Sequence, residues 1–374
     1  MPRALPSEDD LPKLRQALLA WYADQARELP WRARGAERVD PYRVWVSEVM
    51  LQQTRVEVVR GYFERWMQVL PTLGSLAAAD EEQVLGLWQG LGYYSRARRL
   101  REGAKYVVRE LGGALPEEPE RLEAVPGIGP YSAGAISSIA FGRETPLVDG
   151  NVVRVLSRVF GLTGDPARAP LKNLLWETAG RLVVGPRPGD FNQALMELGA
   201  TVCTPRRPRC DGCPWSGHCN ARATGRTDSL PELAKKPPKE EVGLVTLVCT
   251  QGDRHLVEKS PADARWWAGL WTLPTRRLAR AETPTAAAHR LLGELGLEAR
   301  DLVQEATLRH QITRFRVTFH PVCVREPRGP SQLGGALRFA LPAELEALAL
   351  PAPHRKLLGR GSAQTSKATD PPIE

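Results

Sequence analysis

The chain lacks most of the features that would take it outside the ordinary globular class. Charge breaks its apolar runs well short of the roughly 18 residues that a membrane-spanning helix needs. Its first ten residues, MPRALPSEDD, have no positive-then-apolar signal pattern, so a cytoplasmic location is expected. Cysteine is scarce: there are six in 374 residues, four of them crowded into residues 203–219. A distributed disulfide framework is therefore excluded, and a reducing compartment with a metal or cluster site is favoured. Strand-like alternation is almost absent before residue 225. Acidic residues are outnumbered, 43 to 51, and the net charge of +8 suits either a polyanionic partner or an ordinary solvated surface.

What is present divides the chain. Leu11, Leu14, Leu18 and Trp21 recur at helical spacing, and similar patterns continue through an all-α region over residues 1–225. SLPELAKKPPKEE gathers proline and lysine without periodicity and marks a linker over 226–241. Beyond it, EVGLVTLVCT and RFRVTFHPVCV alternate or run β-branched on either side of the helical TPTAAAHRLLGELGL, so residues 242–360 read as an α/β domain. A disordered tail is expected over 361–374.

Cys203, Cys210, Cys213 and Cys219 are separated by six, two and five residues. Zinc modules usually bring together two short cysteine pairs, and here only Cys210 and Cys213 form one. A single loop of four thiolates suits a cubane iron–sulfur cluster better. Zinc with His218 as a ligand, and unliganded thiols, are the alternatives. Arg206, Arg207 and Arg209 lie between the first two cysteines, where a metal-anchored loop would hold guanidiniums outward for bidentate phosphate contact. Cys249 and Cys323 fall in apolar strand-like runs and read as core.

In LEAVPGIGPYSAGAISSIAFG, Gly127 and Gly129 allow a tight turn between two helices, its amide groups pointing outward. With the positive end of the following helix, such a turn can hold a phosphate. About twenty residues on, Asp149 precedes a Gly-Asn turn and an amphipathic helix bearing Val152, Val155, Leu156 and Val159. Taken alone it is a helix-capping carboxylate.

Hairpin, aspartate and cysteine loop, in that order, together resemble the helix-hairpin-helix DNA glycosylase superfamily. The upstream segment LPWRARGAERVDPYRVWVSEVMLQQT starts a helix at Asp40-Pro41 and sets Glu48, Gln52 and Arg55 on one face. It resembles the signature of MutY-type adenine DNA glycosylases, as does WQGLGYYSRARRL, and WWAGLWTLP is similar to that family's Nudix-like recognition module.

The resemblance implies a multidomain protein: an all-α helix-hairpin-helix domain with a 4Fe-4S cluster on the four cysteines, and a C-terminal α/β Nudix-like domain. It implies that Glu48 protonates adenine and Asp149 steadies the developing sugar cation. Tyr131 and Asn151 help hold the flipped base and the carboxylates, and Gln53, assisted by Gln52 and Thr54, wedges into the stack. The chemistry wants such a pair, because adenine leaves readily only once N7 is protonated and the oxocarbenium-like sugar needs a nearby negative charge. Glu48 should therefore sit in a dry pocket with a raised pKa while Asp149 stays ionised.

Related bifunctional enzymes carry a Schiff-base lysine where this chain has Tyr131, which implies a monofunctional hydrolase. The implied partner is duplex DNA with adenine opposite 8-oxoguanine or guanine. No membrane is implied, and a monomer is the default state. In RHQITRFRV, His310, Ile312, Thr313 and Arg314 stand where the family has a His-x-Phe-Ser-His loop, so only the first histidine and a hydroxyl are kept. Only Glu294 and Glu298 are available to hold magnesium, so the domain is expected to recognise rather than hydrolyse. The rivals are a bifunctional endonuclease III-like enzyme acting on oxidised pyrimidines, and a non-catalytic DNA-binding or redox-sensing cluster protein. Arg96, Arg98 and Arg99 are candidate DNA contacts or a solvated helix face.

Overall fold

Capping residues start the helices where the periodicity does. The Asp40 carboxylate accepts from Tyr42 N at 2.8 Å and Pro41 takes the first helical position, while Asp149 accepts from Val152 N at 2.7 Å and opens a later helix. The computed structural model describes residues 6–32, 39–234, 237–330 and 333–365. They divide into two compact units: Met1–Val84 with Ser95–Lys235, and Leu85–Tyr94 with Lys236–Glu374. Residues 85–94 thus group with the second unit, although they lie inside the stretch expected to be a single all-α region.

The helices of the N-terminal region, in chain order, are α1 (Asp10–Gln25), α2 (Pro41–Leu51), α3 (Val56–Val69), α4 (Leu73–Ala78), α5 (Glu81–Trp88) and α6 (Ser95–Glu110). There follow α7 (Pro119–Glu123), α8 (Pro130–Phe141), α9 (Gly150–Phe160), α10 (Ala169–Val183), α11 (Pro188–Thr201) and α12 (Asn220–Ala223). Leu14 and Leu18 of α1 share a core with Val155 and Leu156 of α9, Leu182 of α10 and Leu195 of α11. Trp215, from the cysteine loop, is fully buried in the same core and donates its indole N–H to Leu14 O at 2.8 Å, which fastens the loop to α1.

Two expectations are corrected here. Helix α2 ends at Leu51, because Gln53 takes a left-handed φ of 60°, so Gln52 and Arg55 do not continue the Glu48 face. The linker is also not free at its start: Leu230 is buried against the helical unit, and β-structure begins at Glu240.

The second unit carries β1 (Glu240–Gln251), β2 (Arg254–Lys259), β3 (Trp271–Thr272), β4 (Thr275–Arg277), β5 (Leu302–Gln304), β6 (Leu308–Ile312), β7 (Phe315–Arg325) and β8 (Leu337–Ala340) in one sheet. Its helices are α13 (Pro284–Glu294), α14 (Pro342–Ala347) and α15 (Ala352–Thr365). The long strands β1 and β7 pair in parallel, Leu244 opposite Phe319 and Val248 opposite Cys323. Alternation sends Val245, Leu247 and Cys249 towards Leu291 of α13, while Leu244 and Val248 meet Leu357 of α15 on the other face. Helix α15 continues to Thr365, so residues 361–365 are helical where a disordered tail was expected, and 366–374 lie outside the described residues.

Candidate active site

Helices α2, α8, α9 and α11 deliver Glu48, Tyr131, Asn151 and Glu197 to a single cavity of about 550 Å³, with Asp149 at the start of α9. Gln52, Gln53 and Thr54 line its rim. The four expected catalytic residues and the expected wedge loop are therefore brought together.

Glu48 is 5% exposed and accepts a hydrogen bond from the Tyr131 hydroxyl. Burial raises its pKa to about 7; the Tyr131 hydrogen bond opposes the rise and the charge of Asp149 adds to it. A carboxyl so placed is about half protonated at neutral pH and can act as a general acid. Burial likewise holds the Tyr131 hydroxyl well above its ordinary range, so it remains a donor.

Asp149 fills its capping role and faces the cavity at once. It accepts from Val152 N at 2.7 Å and from Asn151 Nδ2 at 2.8 Å. Burial pushes its pKa upward, while these two N–H donors pull it back down. Two donors to Asp149 against one to Glu48 favour ionisation of Asp149 first. Asn151 is itself oriented by Arg154, whose Nη2 donates to Asn151 Oδ1 at 2.8 Å and to Gly199 O at 2.8 Å. A side chain at Gly199 would start 2.6 Å from Asn151 Cβ, so glycine is what lets α11 pass this closely.

Sequence reasoning missed three cavity residues. Glu197 is 1% exposed and takes Arg27 on both oxygens, Nε at 2.5 Å and Nη2 at 3.0 Å, and Arg32 Nη2 at 2.8 Å. Burial would raise the pKa of Glu197, but the two guanidiniums outweigh it and hold the carboxyl below its ordinary range. The partners lie 165 and 170 residues apart, so no local spacing announces them. The only signal was a glutamate on a helix that carries no basic residue, PGDFNQALMELGAT.

Arg96 is not a solvated helix charge. Its Nη1 donates to Val49 O, Met50 O and Gln52 O at 2.7, 3.1 and 2.6 Å, and Nη2 reaches Thr54 Oγ1 at 3.4 Å. It thus satisfies carbonyls that the end of α2 leaves open and ties down the loop bearing Gln53. Arg98 instead pairs with Glu81 at 2.8 Å. In the hairpin, Gly127 adopts φ 88° with its Cα against Arg99, where a Cβ would come within 2.9 Å, and Gly129 caps α8 from an exposed position.

The four loop cysteines line one small cavity with apolar walls from Val155, Val159, Leu198 and Val202. Among the described residues no three His, Cys, Asp or Glu side chains are grouped to hold a single metal ion, and His218 is exposed and does not line the cavity. Burial pushes the Cys213 thiol up to about 12 and raises Cys219 too, so thiolates form there only when a bound cation stabilises them. Four soft donors around one dry cavity fit a cluster better than one tetrahedral ion. Arg206 and Arg207 are exposed beside it, whereas the Arg209 guanidinium turns back onto Thr201 O at 2.5 Å, against the expectation that all three point outward.

In the second unit, His310 lies on β6 and Thr313 in the exposed turn to β7, with φ 49°. His310 lines a groove of about 530 Å³ with Arg309, Gln311, Arg316 and Thr318, and Thr313 stands outside that lining. Burial lowers the His310 pKa, which favours the neutral imidazole. The Arg314 guanidinium pairs with Glu240 at 3.2 Å. Glu294 is engaged by Arg276 at 3.1 Å and Arg290 at 2.7 Å.

Fold and site define the class, a helix-hairpin-helix base-excision protein with an iron–sulfur loop and a Nudix-type domain. Residues 46–181 match the HhH-GPD superfamily of base excision DNA repair proteins. Residues 203–219 match the iron-sulfur binding domain of endonuclease III, and 244–360 a NUDIX domain. The chain carries a 4Fe-4S motif on its four loop cysteines.

Among relatives, adenine DNA glycosylase of Homo sapiens is 52% identical over 243 residues, 63% of this chain and 44% of that protein. The Rattus norvegicus enzyme is 52% identical over 245 residues, 64% and 48% of the respective chains. That of Buchnera aphidicola subsp. Acyrthosiphon pisum is 31% identical over 261 residues, 69% and 73%. A thermostable thymine-DNA glycosylase superposes with TM-score 0.51 at 28% identity, covering 58% of this chain and 98% of that one. The chain belongs to the adenine DNA glycosylase family. It spans about half the length of the mammalian relatives it matches. No helix among the described residues is long and apolar enough to cross a membrane.

Proposed function

We propose that this protein is a monofunctional glycosylase that hydrolyses the N-glycosidic bond of adenine paired with 8-oxoguanine or guanine in duplex DNA. The observation that carries the reading is the pairing, in one cavity, of a buried carboxyl with a pKa near 7 and a second carboxylate held by two N–H donors.

Adenine enters the cavity only after leaving the stack, and Gln53, strained into a left-handed conformation at the rim, is placed to fill the gap. Glu48 gives its proton to N7, with Tyr131 holding the carboxyl in place. Asp149 offers negative charge to the oxocarbenium-like sugar until water adds, with Asn151 fixing its orientation. Glu197, engaged by Arg27 and Arg32, holds these two guanidiniums along the same wall of the cavity. Among the described residues no lysine lines the cavity, and Tyr131 occupies the position after the hairpin, which supports base release without strand cleavage. The cluster, when bound, cross-links the loop that presents Arg206 and Arg207 to phosphate. Exposed Gly127 and Gly129 offer a second phosphate contact. His310 and Thr313 of the second unit are proposed to meet the base opposite adenine.

The test is single-turnover base release, with and without alkali, from duplexes pairing adenine with 8-oxoguanine, guanine or thymine. Release fastest opposite 8-oxoguanine, with breaks only after alkali, is expected. Breaks without alkali would favour a bifunctional enzyme instead.

A further inference from the structure

Arg158 of α9 is 2% exposed, yet among the described residues it forms no ion pair with a carboxylate. Its donors go to Leu230 O at 2.9 Å, Thr204 O at 2.7 Å, Pro205 O at 3.1 Å and Cys203 Sγ at 3.4 Å. Three carbonyls satisfy its N–H groups but bring no negative charge. A buried cation without an anion is strongly disfavoured, and the usual remedy, a carboxylate, is missing. The one acceptor that can become an anion is the Cys203 sulfur.

The other cations near the loop differ. Arg222 has Asp211 at 3.0 Å, and Arg154 meets the loop only at the Cys203 carbonyl, at 2.7 Å, while its Nη2 goes to Asn151 and the Asp149 carboxylate lies beyond. Arg158 is committed to the cysteine cavity, which it lines alongside the four thiols.

We propose that Arg158 is the built-in counter-cation of the iron–sulfur cluster, and that its charge, delivered through the Cys203 sulfur, sets the cluster's reduction potential. Four thiolates carry more negative charge than the iron–sulfur core neutralises, so a loaded site needs a cation, and a guanidinium N–H on a ligand sulfur is one of the protein's levers on potential. The reduced cluster holds one more electron than the oxidised one, so a fixed positive charge favours it and raises the potential. The same contact explains why an arginine can be sealed inside this unit.

The experiment is voltammetry of the full chain, reconstituted to full iron content, as wild type, Arg158→Gln and Arg158→Lys. Loss of the charge in Arg158→Gln lowers the potential. At the wild-type midpoint the ratio of oxidised to reduced cluster rises about tenfold, which is 59 mV for one electron. Arg158→Lys keeps the charge and holds the ratio within about threefold of wild type. A Gln variant at the wild-type potential overturns the proposal. If the Gln variant retains no iron, iron analysis of the Lys variant decides: retention supports the charge role, and equal loss overturns it in favour of the carbonyl contacts alone. Neither readout depends on release of adenine.

Discussion

Arg154 donates its Nε to the carbonyl of Cys203 at 2.7 Å, joining the first cluster ligand to the arginine that orients Asn151. Asp149, Asn151, Arg154 and Cys203 thus form one hydrogen-bonded series. Arg154→Met should slow single-turnover base release about tenfold, a loss of roughly 1.4 kcal/mol of transition-state stabilisation. DNA affinity should change much less. Asn151→Ala should act in the same direction, and the double variant should be little slower than the slower single one, since both act on Asp149. Strict additivity in that cycle would separate the two residues.

The pH dependence follows from Glu48. With Glu48 as the proposed proton donor, the single-turnover rate should fall as pH rises through about 7. The sign for stability is set by the raised pKa: between about 4.5 and 7 the folded state binds the proton more tightly than the unfolded chain does. Glu48 therefore becomes a growing liability to folding across that window. Glu48→Gln should raise the melting temperature at pH 8 and change it little at pH 4, the gain being at most about 3 kcal/mol. Equal melting temperatures for the two proteins at pH 8 would contradict the raised pKa.

Arg96 is expected to act by position. Arg96→Met leaves the carbonyls of Val49, Met50 and Gln52 without this donor, which should cost about 1–3 kcal/mol in denaturant unfolding. Because the Gln53 loop is loosened, fluorescence of a 2-aminopurine placed at the target should also report less base flipping. A variant that lost stability but flipped the base normally would confine Arg96 to capping α2.

Salt dependence separates the loop arginines. Arg206→Ala and Arg207→Ala should each reduce the slope of log affinity against log salt by about 1, one phosphate contact apiece. Arg209→Ala should leave the slope nearly unchanged and show instead as lower stability, because its guanidinium is spent on Thr201 O. Equal slopes for all three variants would contradict the distinction.

Much of the site was legible because each motif is local. The Asp40-Pro41 start, the Gly127 turn, the Asp149 cap and the cysteine spacing are short-range chemistry, and each element begins where those residues put it. What escaped was long-range or conformational. The helical period carried Glu48 on to Gln52 and Arg55, but Gln53 turns left-handed and breaks the face. Arg96 read as a surface charge because its acceptors are main-chain carbonyls, which no side-chain pattern reveals. Glu197 needed partners from the other end of the domain. Within the second unit, the apolar, β-branched run of β1 and the alternation in β7 made the strands readable, while the capture of Glu294 by Arg276 depended on a strand pairing that brings separate segments together.

The most direct measurement is single-turnover adenine release by Glu48→Gln from a duplex with adenine opposite 8-oxoguanine, with binding to the same duplex followed in parallel. Glutamine keeps the shape and can still accept from Tyr131, but it cannot give up a proton at this pH. No detectable release with wild-type binding is the predicted result, and appreciable release would contradict the assignment of Glu48 as the proton donor.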